Sequence, residues 1–196
     1  MERPISHFTV PRSTNLRPTF IGFGRIFLWG CGRGIGKCCV LAYLSHMTHN
    51  DTDARLKSIL TTTRTIGLVG LSHKPERASH GVAAFLVRKG YRVIGVNPGL
   101  AGQEMFGEKI VASVTELPAE TDMLDLFRRS DAVAPIVDEA LAALPGLKTV
   151  WMQLGVENAE ARAHAEAMGV TVIENRCPKI EYPRLFGEAA LVELVG

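Results

Sequence analysis

Two clusters of anion-binding side chains directly follow buried apolar runs. The first is Gly70-Leu71-Ser72-His73-Lys74-Pro75-Glu76-Arg77-Ala78-Ser79-His80-Gly81, which leads into a predicted helix. It offers backbone amides, hydroxyls and two cations, and free N–H groups and the helix dipole favour anions at a helix N-terminus. This pattern predicts a phosphate-binding loop, with a solvated surface loop as the alternative. The candidate ligand contacts are Gly70, Leu71, Ser72, His73, Lys74 and Arg77.

The second cluster is Phe127-Arg128-Arg129-Ser130, which also precedes a predicted helix. Adjacent arginines at the start of a helix oppose its dipole, so a bound anion would explain them better than helix stability does. We therefore predict Arg128 and Arg129 as ligand contacts. The alternative is that one of them pairs with Asp125 or Asp131 on the surface.

A third segment, Gly95-Val96-Asn97-Pro98-Gly99, indicates which nucleotide fits. Domains that bind NAD usually place a carboxylate at this point to hold the ribose hydroxyls, and here Asn97 stands instead. A carboxylate would repel a phosphate on the ribose, so Asn97 and Pro98 suit coenzyme A or a 2′-phosphorylated dinucleotide better than NAD. The first loop also departs from G-x-G-x-x-G, with Ser72 at the second glycine.

Alternating strands and helices must position these loops. The predicted strands, numbered 1 to 6 in chain order, are Thr65–Gly70, Arg92–Val96, Lys109–Ala112, Met123–Phe127, Thr149–Leu154 and Val170–Glu174. The predicted helices are Asp51–Leu60, Ser79–Lys89 with a Ser79 cap and Gly90 beyond its end, a Ser130-capped helix ending near Pro145-Gly146, Glu157–Met168 and Arg184–Val195. These assignments are based on the apolar periodicity of each segment and on the residues at the ends of each predicted element.

This alternation predicts a Rossmann-like, doubly wound α/β fold, because parallel strands need crossovers and right-handed crossovers place helices on both faces of the sheet. We expect the strand order 3-2-1-4-5-6. Strands 1 and 4 are then neighbours at the topological switch point. The loops after Val69 and Phe127 therefore flank one crevice, which is where ligands bind in such sheets.

Charge is unevenly distributed along the 196 residues. Met1–His46 carries six basic residues and one acidic residue, whereas the remainder carries 16 basic and 19 acidic residues. The leading segment lacks regular periodicity, which begins only after Met47. We expect residues 1–46 to be an extension, disordered or upstream of the natural start, and residues 47–196 to form a single domain. A transit peptide is the rival interpretation of the Arg-rich extension.

The same extension contains a misleading glycine run and most of the cysteines. Gly30–Lys37 resembles a phosphate loop, but Cys31 stands where the first glycine is required and Cys38 where serine or threonine is required. Only Cys177 lies beyond the extension, so we predict no disulfide framework, no metal site and a reducing, cytoplasmic location. Arg25 and Arg33 interrupt the apolar stretch Phe20–Leu44, so no membrane span is predicted.

Taken together, several motifs resemble the small CoA-binding domain proteins, stand-alone relatives of the N-terminal domain of the succinyl-CoA synthetase α chain. The motifs are Val69–Pro75, Val96-Asn97-Pro98, Asp125–Arg129, Trp151–Gly155 and Asn175–Glu181, in a region of about Ser58 to Gly187. The resemblance implies CoA contacts from Gly70–Arg77, from Asn97-Pro98, and from Met152, Gln153 and Gly155. One departure is Leu100, which follows Gly99 where the synthetase has a lysine.

No catalytic apparatus is evident in the sequence, and we expect no complete ligase, because the chain ends one helix after strand 6. His73 and His80 suit phosphate donors, His164 suits a surface position, and Cys177 beside Arg176 and Lys179 is either reactive or structural. The favoured prediction is a module that binds, senses or carries CoA or acyl-CoA, without nucleic acid or membrane partners. An NAD(P)-binding redox protein and an interaction subunit with a vestigial pocket are the alternatives, and a homodimer or another protein partner is left open.

Overall fold

The computed structural model describes residues 53–195, which form an α/β fold around a parallel sheet. The central strands are β1 (Thr65–Val69), β2 (Arg92–Val96), β5 (Met123–Leu126), β6 (Thr149–Met152) and β7 (Thr171–Ile173), in the order β2-β1-β5-β6-β7. A separate antiparallel hairpin consists of β3 (Glu104–Met105) and β4 (Glu108–Lys109). The extension 1–46, its glycine run Gly30–Lys37 and the predicted helix start at Asp51 lie outside the described residues.

Six helices lie within the described part of the chain. They are α1 (53–62), α2 (Ala78–Lys89), α3 (Val133–Ala143), α4 (Ala159–Ala167), α5 (Pro178–Phe186) and α6 (Leu191–Val195). Short 3-10 turns occur at Pro98–Leu100, Val114–Glu116 and Ser130–Ala132. None of the helices within residues 53–195 is both long enough and apolar enough to span a bilayer.

Helices cover both faces of the sheet, as the alternating pattern predicts. Along β5, Leu124 and Leu126 pack with residues of α3 and α4, whereas Met123 packs with residues of α1, α2 and α5. Successive side chains of a strand point to opposite faces, so a fully buried strand must be apolar on both. The sequence of β5 meets this requirement except at Asp125, which is also completely buried.

The predicted strand order 3-2-1-4-5-6 is wrong at one edge. In that numbering the sheet runs 2-1-4-5-6, and predicted strand 3, Lys109–Ala112, is not a full member. Its first residue belongs to the β3–β4 hairpin, and only Val111 forms a parallel bridge, with Val96. The chain enters this edge from a tight hairpin and leaves it at the 3-10 turn Val114–Glu116, so too few residues remain extended beside β2.

Several helix boundaries also differ from the prediction, and α4, for example, spans Ala159–Ala167 and not Glu157–Met168. The predicted helix Arg184–Val195 is divided between α5 and α6, because α5 ends at Phe186 with Gly187 as its C-cap, and a non-helical segment precedes α6. Arg77, not Ser79, is the N-cap of α2. Ser130 opens a 3-10 turn before α3, and its hydroxyl accepts a hydrogen bond from the Glu157 amide at 3.1 Å. The end of α2 at Gly90 agrees with the prediction.

Candidate functional site

The loops after β1, β2 and β5 converge at the carboxyl edge of the sheet. Gly70 has a φ of 88°, and its amide donates to the Val96 carbonyl at 2.9 Å. A Cβ atom at Gly70 would lie 2.5 Å from the Phe127 carbonyl oxygen. Only glycine therefore allows these backbones to approach so closely. The crevice expected between the first and fourth predicted strands is formed here.

An apolar cavity of about 300 Å³ lies on one side of Gly70. Its wall consists mainly of aliphatic side chains, with Arg128 and Glu139 as the charged members. The apolar lining residues are Val69, Val96, Pro98, Ala112, Val114 and Ile136. Concave, mostly apolar sites with a few polar groups are typical of small-molecule pockets.

A second cavity, of about 430 Å³, adjoins the first and shares Gly70 and Asn97 with it. We call it the basic cavity. Its lining comprises the loop after β1 and the first residues of α2, including Ser72, Lys74, Arg77, Ala78 and Ser79. Gly81 is the first residue of α2 whose amide donates to a carbonyl one turn earlier, that of Arg77. The preceding amides form the positive end of the helix dipole at this cavity.

Hydrogen bonds fix the shape of the loop that borders the basic cavity. The Ser79 hydroxyl accepts from the Ser72 amide at 3.2 Å, and the Ser72 hydroxyl accepts from the Lys74 amide at 3.2 Å. The His80 ring nitrogen Nδ1 lies 3.2 Å from the Ser72 carbonyl oxygen. Ser79 therefore ties the loop to the helix, although it does not cap the helix as predicted. The side chains of Lys74 and Arg77 therefore extend from a backbone whose conformation is fixed by these hydrogen bonds.

Asn97 holds two of the converging loops together. Its Nδ2 donates to the Leu71 carbonyl at 2.7 Å, and its Oδ1 accepts from the Gly99 amide at 2.9 Å. The sequence interpretation treated Asn97 as the residue that replaces a ribose-binding carboxylate. In the structure, Asn97 also connects two loops through the hydrogen bond from its Nδ2 to Leu71. A carboxylate could not form this bond because it has no N–H to donate.

The cations of the site differ in their partners. Within residues 53–195, no carboxylate lies within 4.0 Å of the charged nitrogens of Lys74, Arg77 or Arg128. Arg129, in contrast, pairs with Asp131 at 2.8 Å and has an 86% exposed side chain. This pairing is one of the alternatives that the sequence left open. Arg128 thus borders the apolar cavity, whereas Arg129 lines neither cavity.

Most of the predicted contact residues are brought together by the fold. Those that line the two cavities are Gly70, Leu71, Ser72, Lys74, Arg77, Asn97, Pro98 and Arg128. The predicted residues that line neither cavity are His73, Arg129, Met152, Gln153 and Gly155. Met152 is completely buried in the core, and the Gly155 amide donates to Asn175 Oδ1 at 2.8 Å.

Asp125 is the polar residue that the site prediction passed over. Its Oδ1 accepts from Gln153 Nε2 at 2.7 Å, while its Oδ2 has no hydrogen-bond partner among the described residues. Burial is the main effect on this carboxyl group and raises its pKa to about 7, against the opposing effect of the Gln153 hydrogen bond. The sequence signal was an acid inside the otherwise apolar run Met123–Leu126. In the sequence, Asp125 suggested only a possible ion-pair partner for Arg128 or Arg129.

Proteins of similar sequence and structure include bacterial and archaeal examples. The uncharacterized protein YneT of Bacillus subtilis (strain 168) is 35% identical over 133 residues, which is 68% of this chain and 96% of that protein. A Thermus thermophilus structure, cell-free ID.343, is 36% identical with a TM-score of 0.65 and covers 68% of this chain and 98% of its own. A hypothetical protein from Pyrococcus horikoshii OT3 is 36% identical with a TM-score of 0.64 and covers 69% and 92%, respectively.

A family match covers the part of the chain that contains the converging loops. Residues 64–183 match the CoA binding domain, and this range spans all five parallel strands as well as both cavities. The resemblance inferred from the sequence motifs is thereby confirmed. The chain belongs to the CoA binding domain family.

Proposed function

We propose that this protein binds coenzyme A across the two adjoining cavities at the carboxyl edge of the sheet. The observation that supports this most strongly is the contrast between them. The apolar cavity suits the adenine ring, and the basic cavity suits the phosphates. Because the cavities share Gly70 and Asn97, one ligand with an aromatic base and a pyrophosphate would occupy both.

The charges near the cavities match a ligand with several phosphates. Lys74 and Arg77 extend from the loop that opens α2, where the helix dipole also favours an anion. Arg128 lies at the wall of the apolar cavity, so we assign it to the phosphate on the ribose of the bound adenosine. Guanidinium groups bind phosphate through paired, charge-assisted hydrogen bonds.

Two features of the fold favour CoA over a dinucleotide such as NAD. At the end of β2, Asn97 donates to the Leu71 carbonyl and accepts from the Gly99 amide, and it stands where NAD-binding domains place a carboxylate to hold the ribose hydroxyls. Ser72 replaces the second glycine of the dinucleotide pattern, and its hydroxyl is used within the loop. We therefore infer a CoA or acyl-CoA binding module, in which sensing or carrying CoA is the role.

Isothermal titration calorimetry with CoA, dephospho-CoA and NAD tests this proposal. We expect CoA to bind more tightly than dephospho-CoA by about tenfold to a hundredfold, because one charge-assisted contact contributes roughly 1.5–3 kcal/mol. NAD should bind more weakly than CoA. Equal affinities for CoA and dephospho-CoA would contradict the assignment of Arg128, and absence of binding by both would contradict the proposed function.

A further inference from the structure

The β3–β4 hairpin has a turn whose sequence does not suit its backbone. Met105 pairs with Glu108 across the hairpin. The turn between them is therefore Phe106-Gly107, with φ values of 56° and 81°. Two-residue turns with positive φ at both positions strongly prefer Asn-Gly, Asp-Gly or Gly-Gly. A bulky side chain at positive φ is strained, and such strain clusters at functional sites where the surrounding structure imposes it.

The Phe106 side chain contacts the first turn of α2. Its ring centroid is 5.2 Å from that of the His80 ring, with an angle of 60° between the two planes. Tilted aromatic pairs at this separation contribute stabilisation beyond the area that they bury. His80 lies in the first turn of α2, beside Ala78 and Ser79, which line the basic cavity. The tip of the hairpin is thus in direct contact with the helix start that borders this cavity.

His80 connects the hairpin to the loop after β1. Its Nδ1 lies 3.2 Å from the Ser72 carbonyl oxygen, and because a carbonyl can only accept, Nδ1 carries the proton. The amide of the same Ser72 donates to the Ser79 hydroxyl at 3.2 Å. Side chains of α2 therefore hold both backbone polar groups of Ser72. The sequence suggested His80 as a phosphate donor, whereas in the structure its Nδ1 is bonded within the protein.

The base of the hairpin is fixed to β2. The Arg92 guanidinium of β2 pairs with the Glu108 carboxylate through two nitrogens, at 2.6 Å and 3.2 Å. Just after the hairpin, both backbone polar groups of Val111 are bonded at 2.9 Å to the backbone around the end of β2. Since the base is held at two points, the hairpin supports the Phe106 ring against α2.

We propose that Phe106 is a positioning residue of the CoA site, which acts through His80 to hold the loop Gly70–Arg77 in the conformation that binds phosphate. This inference rests on the proposed function, since it concerns the affinity of the same site. A loop that already has its bound conformation loses less conformational entropy on binding. The apparent affinity falls with the fraction of molecules in that conformation. This role accounts for an aromatic side chain where the turn alone favours asparagine.

Phe106→Asn tests the proposal, because the substitution should improve the turn and impair the site. Asparagine suits the positive φ and offsets the loss of the apolar contact, so we expect the melting temperature to stay close to that of the parent. Loss of the ring pair should weaken CoA binding by about threefold to tenfold, measured by calorimetry with the full chain. Dephospho-CoA should be weakened by the same factor, because the variant affects the phosphate loop and not Arg128.

Phe85→Ala is the matched control on the same helix. The Phe85 ring is half-buried, packs edge-on against Tyr182 at 5.9 Å and lines neither cavity. Its loss should lower the melting temperature but change the CoA affinity by less than about twofold. His80→Ala should weaken CoA binding as Phe106→Asn does, and the double variant should bind no more weakly than His80→Ala alone, because both substitutions break the same connection.

Hydrogen exchange of the ligand-free protein gives a readout that does not depend on CoA. Phe106→Asn should accelerate exchange in peptides that cover residues 70–81 and leave peptides from β5 and β6 unchanged, because only the loop is released. Phe106→Tyr keeps the ring, so it should retain the protection of the parent. Unchanged exchange of residues 70–81 in Phe106→Asn would contradict the positioning role.

The outcomes separate this inference from the proposed function. If the parent binds CoA and Phe106→Asn binds it equally well, Phe106 does not position the loop and CoA binding stands. If Phe106→Asn and Phe85→Ala lose stability and affinity alike, the Phe106 ring serves only the core and the inference is again wrong. If the parent does not bind CoA, the proposed function fails, and this inference fails with it.

Discussion

Arg128 and Arg129 are adjacent in the chain but lie in different surroundings. Arg128 borders the apolar cavity without an acidic partner among the described residues, and Arg129 is an exposed partner of Asp131. Exposed ion pairs contribute little to stability, and an arginine that binds phosphate contributes mainly to affinity. The two residues therefore offer a matched comparison in which size, charge and chain position are nearly the same.

We predict that Arg128→Ala weakens CoA binding by about tenfold to a hundredfold, because it removes one charge-assisted contact worth roughly 1.5–3 kcal/mol. Arg129→Ala should change the affinity by less than about twofold. Neither substitution should change the free energy of unfolding of the unliganded protein by more than about 0.5 kcal/mol. Calorimetry and thermal unfolding measure these quantities. Equal losses of affinity in the two variants would place both guanidinium groups at the ligand.

Asp125 should give the stability of the protein an unusual pH dependence. Its pKa rises from 3.8 to about 7 on folding, chiefly because of burial. Between these values the unfolded chain releases a proton that the folded chain keeps, so the free energy of unfolding falls as the pH rises from about 4 to about 7. The contribution of this group to stability is fully present below pH 4 and is lost above pH 7, with a magnitude on the order of 4 kcal/mol.

Asp125→Asn should remove this decline. We expect the difference in unfolding free energy between variant and parent to grow in the variant's favour as the pH rises from 4 to 7, measured by urea unfolding at several pH values. Asp131→Asn, which changes an exposed aspartate, is the control and should follow the parent's profile. A constant difference across this range for Asp125→Asn would mean that the carboxyl group is not buried in the folded state.

The site residues that the sequence could predict are those fixed by their order along the chain. A loop that follows a buried strand and precedes a helix must lie at the carboxyl edge of a parallel sheet, and Lys74 and Arg77 line a cavity there. The directions of neighbouring side chains depend on local backbone angles, which the sequence does not reveal. For this reason both Arg128 and Arg129 were predicted as ligand contacts. Met152 and Gln153 were predicted from the family resemblance alone, and in this structure both side chains are buried.

At the scale of elements, the close approach of β1 to the loop after β5 depends on Gly70. Its φ of 88° is in the left-handed region, and a Cβ atom would meet the Phe127 carbonyl oxygen at 2.5 Å. Gly102 has a similar φ of 83° but nothing within 4 Å of the added atom. Comparing alanine at the two positions separates backbone strain from the steric effect of the approaching strand.

We predict that Gly102→Ala lowers the free energy of unfolding by about 1 kcal/mol, the cost of the left-handed conformation alone. Gly70→Ala should lower it by about 3 kcal/mol or more, because the strands must also separate. Chemical denaturation measures both changes. Gly70→Ala should in addition weaken CoA binding, since the converging loops move apart. Equal destabilisation at the two positions would contradict the close packing described here.

Elements with strong local signals were predicted well, and elements set by tertiary context were not. The buried strands β1, β5 and β6 are predominantly apolar runs, interrupted in β5 only by Asp125, and such runs are recognisable in a sequence. The segment Lys109–Ala112 has strand-like composition, but whether it pairs depends on the hairpin before it and the turn after it. Similarly, the helical pattern across Arg184–Val195 did not reveal that the helix stops at Phe186 and that a second helix begins at Leu191.

For the whole molecule, the folded core extends beyond the part that matches the family. The match begins at residue 64, yet α1 lies before it and packs into the core. Leu56 and Leu60 are 0% exposed, and the Tyr91 hydroxyl donates to the Leu60 carbonyl at 2.5 Å. Arg184 of α5 pairs with Asp53 at 2.7 Å, which connects the beginning of the described chain to its last part.

We therefore predict opposite results for two truncations. A chain that begins at Met47 keeps α1, and we expect its melting temperature and CoA affinity to equal those of the full chain, because the extension carries no regular apolar periodicity to pack. A chain that begins at Arg64 loses two fully buried leucines and Ile59. Burial of each such side chain contributes about 1.5–3 kcal/mol, so the loss of roughly 4.5–9 kcal/mol for the three is comparable to the entire stability of a typical domain. This shorter chain should be largely unfolded by circular dichroism. A marked drop in melting temperature on removal of residues 1–46 would instead show that the extension is part of the core, and a stable chain from Arg64 would show that α1 is dispensable.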